Sequence, residues 1–328
     1  MNSIDVFNGD ADGICALQQL RLREPQPAAR LITGVKRDIT LLDRLGDTTK
    51  SRITVLDISL DRNRTALEHL LTQGNRIFYA DHHYSGPIPT SEALEAHIDP
   101  SPLVCTSLII DRLLSGAFRP WAIAGAFGDN LDEVAVQYAD SIGLGESKKQ
   151  ILKEIGMLLN YNGYGMEVKD LLIHPADLFV EVHQFTDPFD FYRDSPLLVQ
   201  LRQGYEDDMT KAANLLPDRT FAGGRVFLLP EAAWAKRVVG VFANRLSRDQ
   251  PEMAHAALLT NPDGSFLVSV RAPLTTRQGA DALCRQFSTG GGRAAAAGIN
   301  HLPKQELESF LSAFARHFTP ATSPTACR

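Results

Sequence analysis

The sequence predicts an α/β protein with an N-terminal parallel-sheet domain, a helical connection and a smaller C-terminal α/β domain. Three observations predict it. Over about the first 130 residues, short β-like runs alternate with helically spaced stretches, the pattern of parallel strands joined by crossover helices. From Pro102 to about Gln203 the periodicity turns mostly helical. Near Phe221 β sequence restarts and again alternates with helical stretches. At 328 residues the chain is long enough for two cores.

Taken in order, "SIDVF", "ARLITGV", "RITVLD" and "RIFYAD" read as strands, with "DGICALQQLRLRE" and "LDRNRTALEHLLTQG" as helices between them. The second helix ends in a glycine suited to a C-cap. "LVCTSLIIDRLLSG", "WAIAGAFGD" and "KKQILKEIGMLLNYNG" carry the helical middle. "DRTFAGGRVFLLP", "MAHAALLT" and "SFLVSVRAP" are β-like, flanked by helical "WAKRVVGVFANRLSR" and "KQELESFLSAFARHF". The expected divisions are a domain over residues 1–140, a connector over 141–218, a second domain over 219–318 and a flexible tail over 319–328.

The formal charge of −6 offers no broad basic field for long double-stranded DNA. The four cysteines, Cys15, Cys105, Cys284 and Cys327, form no CxxC pair, so they read as reduced thiols of a cytoplasmic protein. No signal peptide and no membrane span is expected. A homodimer is compatible with the sequence.

Chemistry concentrates at strand ends. "IDVFNGDADG" puts Asp10 and Asp12 after the first strand, "TVLDISLD" puts Asp57 at the end of another, and "FYADHH" ends in Asp81, His82 and His83. In a parallel sheet the C-terminal strand ends share one edge, where ligand sites form. An aspartate at a strand end is most often a helix cap or turn former, which suits Asp5 and Asp61. Several carboxylates converging on one crevice would instead repel each other and resist desolvation. A divalent cation removes that conflict, and mixed oxygen and imidazole donors suit Mn²⁺, Co²⁺, Fe²⁺ or Zn²⁺. His97 and Asp99, at a further strand end, are candidates to brace such ligands.

"GDADG", the strand-end Asp57, "DHH" and a later "GAFGDN" resemble the motifs of the DHH phosphoesterase superfamily, and "STGGGRAAAAGIN" resembles the GGGHxxAAG signature of its DHHA1 domain. The match spans about residues 3–130 and 219–318. The resemblance implies two divalent ions, Mn²⁺ first with Co²⁺ or Mg²⁺ as alternatives. Asp57 would bridge them, Asp12, His82 and Asp129 would complete one site, and Asp10 would hold the other. His83 would lie beside the scissile phosphate, so that Asp57 and His83 are the expected catalytic pair. Two bridged cations activate a water and neutralise charge on phosphoryl oxygens.

The chain departs from the pattern. Val6 stands where many members have a histidine and Asn8 where RecJ-type enzymes often have an acid, leaving the Asp10 site short of anionic ligands. Arg293 replaces the histidine of GGGH; it keeps a phosphate-gripping charge but cannot shuttle protons. "TGGGRAAAAG" reads as glycines before a small-residue helix, either a plain tight turn or a loop whose amides face an anion. Gly290, Gly291, Gly292 and Arg293, with Arg271 at a strand end, are thus the expected substrate contacts. The function implied is hydrolysis of phosphodiester or phosphomonoester bonds in a small nucleotide, a cyclic (di)nucleotide or a short oligonucleotide. An exopolyphosphatase-like hydrolase and a non-catalytic nucleotide-binding protein are the alternatives.

Overall fold

The computed structural model describes residues 2–319, so Cys327 and nearly all of the expected tail lie outside the described residues. The chain divides between Tyr205 and Glu206 into two compact units.

In the first unit five parallel strands form one sheet in the order β2-β1-β3-β4-β5: β1 Asn2–Phe7, β2 Arg30–Ile32, β3 Ser51–Leu56, β4 Arg76–Asp81 and β5 Leu94–Ile98. Helices α1 Ala11–Arg23 and α2 Leu60–Thr72 are the crossovers. Then follow α3 Thr106–Leu113, α4 Arg119–Gly128, α5 Asp132–Ser141, α6 Glu146–Gly163, α7 Pro175–Val182, α8 Pro188–Asp194 and α9 Pro196–Ala213, within which the division falls. One core lies between the sheet and α2, built on Ile4, Val6, Ile53, Val55, Leu67 and Tyr79. The other joins Phe7 and Leu56 to α1, α3, α4, α6 and α7 through residues such as Ile14, Ile110, Trp121, Leu158 and Leu178. Alternating side chains of a strand face opposite layers, so neighbours Val6 and Phe7 enter different cores. Asp5 lies inside β1 and is neither the helix cap nor the turn former expected: it accepts a hydrogen bond from Arg21 Nε of α1 at 2.8 Å, a buried structural pair.

Glycines let the helices of the larger core approach closely. A Cβ on Gly125 would stand 2.4 Å from Ser107 Oγ, one on Gly128 2.3 Å from the Ala11 Cβ, and one on Gly156 2.2 Å from the Ala124 carbonyl oxygen. These contacts pin the end of α4, and with it Asp129, against the start of α1.

The second unit has a six-stranded mixed sheet in the order β10-β11-β9-β8-β7-β6. Its strands are β6 Arg219–Phe221, β7 Gly224–Leu229, β8 Ala254–Thr260, β9 Phe266–Arg271, β10 Gly290–Gly292 and β11 Ala296–Leu302. Only β7 and β8 pair in parallel. Helices α10 Ala233–Asp249, α11 Ala280–Cys284 and α12 Leu307–Phe318 complete it, and Phe310 and Phe314 of α12 are fully buried. The glycine run corrects one expectation. "TGGGRAAAAG" is a β-hairpin, β10 and β11 around Arg293–Ala295, and not a loop opening a helix. Alanine has high helix propensity, but here the run pairs along β9, and a Cβ on Gly298 would approach the Val268 carbonyl oxygen to 2.7 Å. No helix among the described residues is long and apolar enough to cross a membrane.

Candidate metal centre

Past Phe7 the chain turns tightly into α1. A Cβ on Gly9 would lie 2.0 Å from the Gly34 carbonyl oxygen and one on Gly13 2.2 Å from that of Asn8. Asp10 caps the helix: its Oδ1 accepts from the backbone N–H of Asp12 at 3.0 Å and of Gly13 at 3.1 Å. Asp12, in the first turn, accepts the backbone N–H groups of Thr106 and Ser107, both at 2.7 Å, at the opening of α3. The carboxylate therefore sits on the positive end of a second helix as well.

Asp57 follows β3 with φ +58°, a left-handed backbone that a non-glycine residue adopts at a cost. Its N–H donates to the Ala80 carbonyl at 3.1 Å, and Thr106 Oγ1 donates to its Oδ1 at 3.2 Å. Around His82 the acids close in: its Nε2 is 3.4 Å from Asp57 Oδ1, 3.8 Å from Asp129 Oδ2 and 4.0 Å from Asp12 Oδ2. Asp10, Asp12 and Asp57 are 1%, 0% and 2% exposed.

The electrostatics show the strain of this gathering. Burial, then the charges of Asp10 and Asp12, push the Asp57 carboxyl well above its usual range. Burial and the Asp12 charge lift Asp129 to about 6. Burial opposes a charged His82, but the hydrogen bond to Asp57 and the charges of Asp12, Asp57 and Asp129 outweigh it and raise the imidazole to about 10. The donor set fits a divalent cation: three carboxylates lie within 4.0 Å of His82 Nε2, and mixed oxygen and imidazole donors suit such an ion. Asp57, His82 and His83 also bring ligand atoms within 4.8 Å of one another.

Asp10 stands differently. Lys36 Nζ lies 2.6 Å from its Oδ2 and 3.5 Å from Asp129 Oδ1. Burial would raise the Asp10 carboxyl, but the charge and hydrogen bond of Lys36 bring it below its usual range. Sequence reasoning missed this lysine. It lies in the loop after β2, in "TGVKRD", with no motif to mark it. It missed Thr106 and Ser107 too; the only local signal was their place at the start of an apolar helical run.

The vicinal histidines part company. His83 Nδ1 is 2.7 Å from Asp81 Oδ1, and because a carboxylate only accepts, this nitrogen carries the proton and Nε2 is left free. The His83 side chain is 45% exposed against 18% for His82. His97 pairs with Glu95 at 2.9 Å and Asp99 with Arg112 at 2.8 Å, along edge strand β5, so neither braces the centre.

In the second unit, Arg271 at the end of β9 pairs in register with Ala296, next to the turn that holds Arg293. The Arg271 Nε donates to Asn244 Oδ1 at 2.7 Å and its Nη1 to Ser269 Oγ at 3.0 Å. Arg293 is exposed, and its N–H donates to the Ala296 carbonyl at 2.9 Å. Gly290, Gly291 and Gly292 form the sheet's edge strand, with φ +134° at Gly292.

No protein-family model and no curated protein sequence matches the chain. Solved structures do match its fold. A manganese-bound exonuclease RecJ superposes with a TM-score of 0.60 at 15% identity, covering 96% of this chain and 89% of that one. RecJ of Thermus thermophilus with Mn²⁺ gives 0.64 at 16%, covering 96% of this chain, which spans 51% of the Thermus protein. The pGpG-specific phosphodiesterase PggH of Vibrio cholerae gives 0.54 at 12%, covering 97% and 99%. A parallel sheet with acids and a histidine pair on its C-terminal edge, followed by a mixed sheet with a glycine hairpin, gives this chain the fold seen in the RecJ and PggH structures.

Proposed function

We propose that the chain is a metal-dependent phosphoesterase that hydrolyses phosphodiester or phosphomonoester bonds of small nucleotides, cyclic dinucleotides or short oligonucleotides. One observation carries the reading: His82 faces the buried carboxylates of Asp12 and Asp57 and the partly exposed one of Asp129 at 3.4–4.0 Å, a set that is costly without a cation and suited to one. The likeness to RecJ and PggH supports it at the level of fold.

Asp12, Asp57, His82 and Asp129 would hold a divalent ion, Mn²⁺ first among candidates. When bound, such an ion polarises a phosphoryl oxygen and lowers the pKa of water. The chain's own residues do the rest. Backbone N–H groups of α3 fix Asp12, and the Thr106 hydroxyl fixes Asp57. Asp81 holds the proton on His83 Nδ1, so His83 Nε2 is the atom able to donate to or accept from a phosphate oxygen or leaving group. Arg293 and Arg271 are the proposed phosphate contacts of the second unit.

The test is a substrate panel of short oligonucleotides, pGpG, cyclic dinucleotides, pAp and polyphosphate with Mn²⁺, Co²⁺ or Mg²⁺, before and after chelation. Turnover of a nucleotide ester that chelation abolishes and Mn²⁺ restores is expected. Polyphosphate alone being cut would replace the nucleotide reading. Tight nucleotide binding without turnover under every metal would make the chain a binding protein.

A further inference from the structure

The cation expected at Asp10 has a rival already in place. Lys36 Nζ stands 2.6 Å from Asp10 Oδ2, while Asp10 Oδ1 is taken by the first turn of α1. The same ammonium lies 3.5 Å from Asp129 Oδ1 and 3.1 Å from Asn160 Oδ1. Its position is built from several sides. The Lys36 N–H donates to the Gly163 carbonyl at 2.9 Å, at the C-terminal end of α6, where the helix dipole favours a cation. Asn160 is itself held by a 2.7 Å hydrogen bond to the Tyr164 hydroxyl, and the Lys36 ammonium lies 5.9 Å from that ring's centroid. Asn8 Nδ2 donates to the Lys36 carbonyl at 3.2 Å. Two further positions near Asp10 lack acids: β1 carries Val6 in its core, and Asn8 is neutral.

We propose that Lys36 replaces one of the metal ions, so that the centre works with a single divalent ion at Asp12, Asp57, His82 and Asp129 and a fixed ammonium at Asp10. The proposal rests on the phosphoesterase reading and deepens it. An ammonium brings a fixed positive charge to a phosphoryl oxygen without needing to be recruited from solution. It also lightens the negative charge of the cluster, which lowers the cation requirement from two ions to one. Asn8 fits this arrangement, since it anchors the backbone of the lysine where a carboxylate would compete for its charge.

The experiment counts ions. Metal-stripped protein is titrated with Mn²⁺ by calorimetry, and the bound ion is followed by electron paramagnetic resonance. The wild type should bind one Mn²⁺ per chain with the six-line spectrum of an isolated ion. Lys36→Ala and Lys36→Glu should bind two at saturating Mn²⁺, with a spectrum broadened by coupling between neighbouring ions, and Lys36→Arg should stay at one. Lys36→Ala should also lose activity at least about a hundredfold at the wild type's metal concentration, the size of effect expected when a fixed charge facing the transition state is removed. Two coupled ions in the wild type overturn the proposal and leave the phosphoesterase reading standing. So does a second ion failing to enter both folded variants, with folding checked by circular dichroism. If neither variant folds, the wild-type count decides alone. No Mn²⁺ bound by the wild type at millimolar concentration defeats the parent reading instead.

Discussion

At the strand ends of the first unit charge is buried and mutually constrained; at the glycine hairpin of the second it is displayed. Asp12 is fully buried and fixed by two backbone N–H groups, and Asp57 is held by a hydroxyl and an unusual φ. Arg293 stands exposed on a three-residue turn at a sheet edge. The contrast teaches what each region is suited for. A buried set of carboxylates is costly unless its members are protonated or matched by cations, so they act together and fail together. An exposed guanidinium keeps its hydration and its freedom, so it adds to binding in increments.

The largest effect should come from Asp57→Asn, a replacement that tolerates the left-handed backbone but removes the charge. Activity should fall about a thousandfold, the upper range for loss of one group facing developing charge, and bound Mn²⁺ should drop in elemental analysis. Near-normal turnover and metal content would break the picture of a cooperative cage. The same variant should raise the melting temperature of metal-free protein, because burial and the neighbouring charges of Asp10 and Asp12 press on that carboxylate.

The histidines sharpen the comparison within one site. His83→Ala should lose about a hundredfold or more in kcat, the usual contribution of a general acid or base, yet keep its Mn²⁺. His82→Ala should lose both. Equal metal loss in the two variants would show that the division of labour between them is wrong.

Next in size is Arg293→Ala. A hydrogen bond to a charged group contributes about 1.5–3 kcal/mol, so KM for a nucleotide should rise roughly ten- to a hundredfold with kcat little changed. A small generic ester, bis-p-nitrophenyl phosphate, should be nearly indifferent. If it suffers equally, Arg293 supports the structure and not the substrate.

Metal binding should appear as stability of the first unit. Mn²⁺ at about a hundred times its Kd stabilises by about 2.7 kcal/mol, which raises Tm by roughly 5–10 °C for a unit of this size. Because His82 is raised to about 10, the ion must displace a proton, so apparent affinity should climb with pH across the neutral range. A flat affinity in calorimetry between pH 6 and 8, about two units, would exclude His82 as a ligand.

The smallest effect is expected at the hairpin. Gly292 has φ +134°, and a Cβ there would meet the Ala297 Cα at 2.5 Å. Gly292→Ala should destabilise the second unit by about 1–3 kcal/mol while leaving Mn²⁺ binding unchanged.

By itself the sequence determined the strands that carry the acids, because each strand's apolar run ends abruptly in a polar turn and the period of two marks its face. It determined that Asp10, Asp12, Asp57 and His82 belong at one sheet edge, because parallel connectivity leaves them no other place. It marked β5 only by the strand end read at His97 and Asp99, since an edge strand is only partly buried and "LEAHI" carries little apolar signal. It misled at "GGGRAAAAG", where local helix propensity lost to pairing with β9, in which Ala296 lies opposite Arg271, a distant partner whose contribution no local pattern reports. Lys36 is the clearest case. Nothing near it in sequence marks it as special; its place beside Asp10 depends on the C-terminal end of α6, more than a hundred residues on, closing over the loop after β2. A strand-end acid is set by short-range chain geometry and can be read directly, whereas the counter-charge that faces it is chosen by packing between distant segments, and only the folded chain decides that.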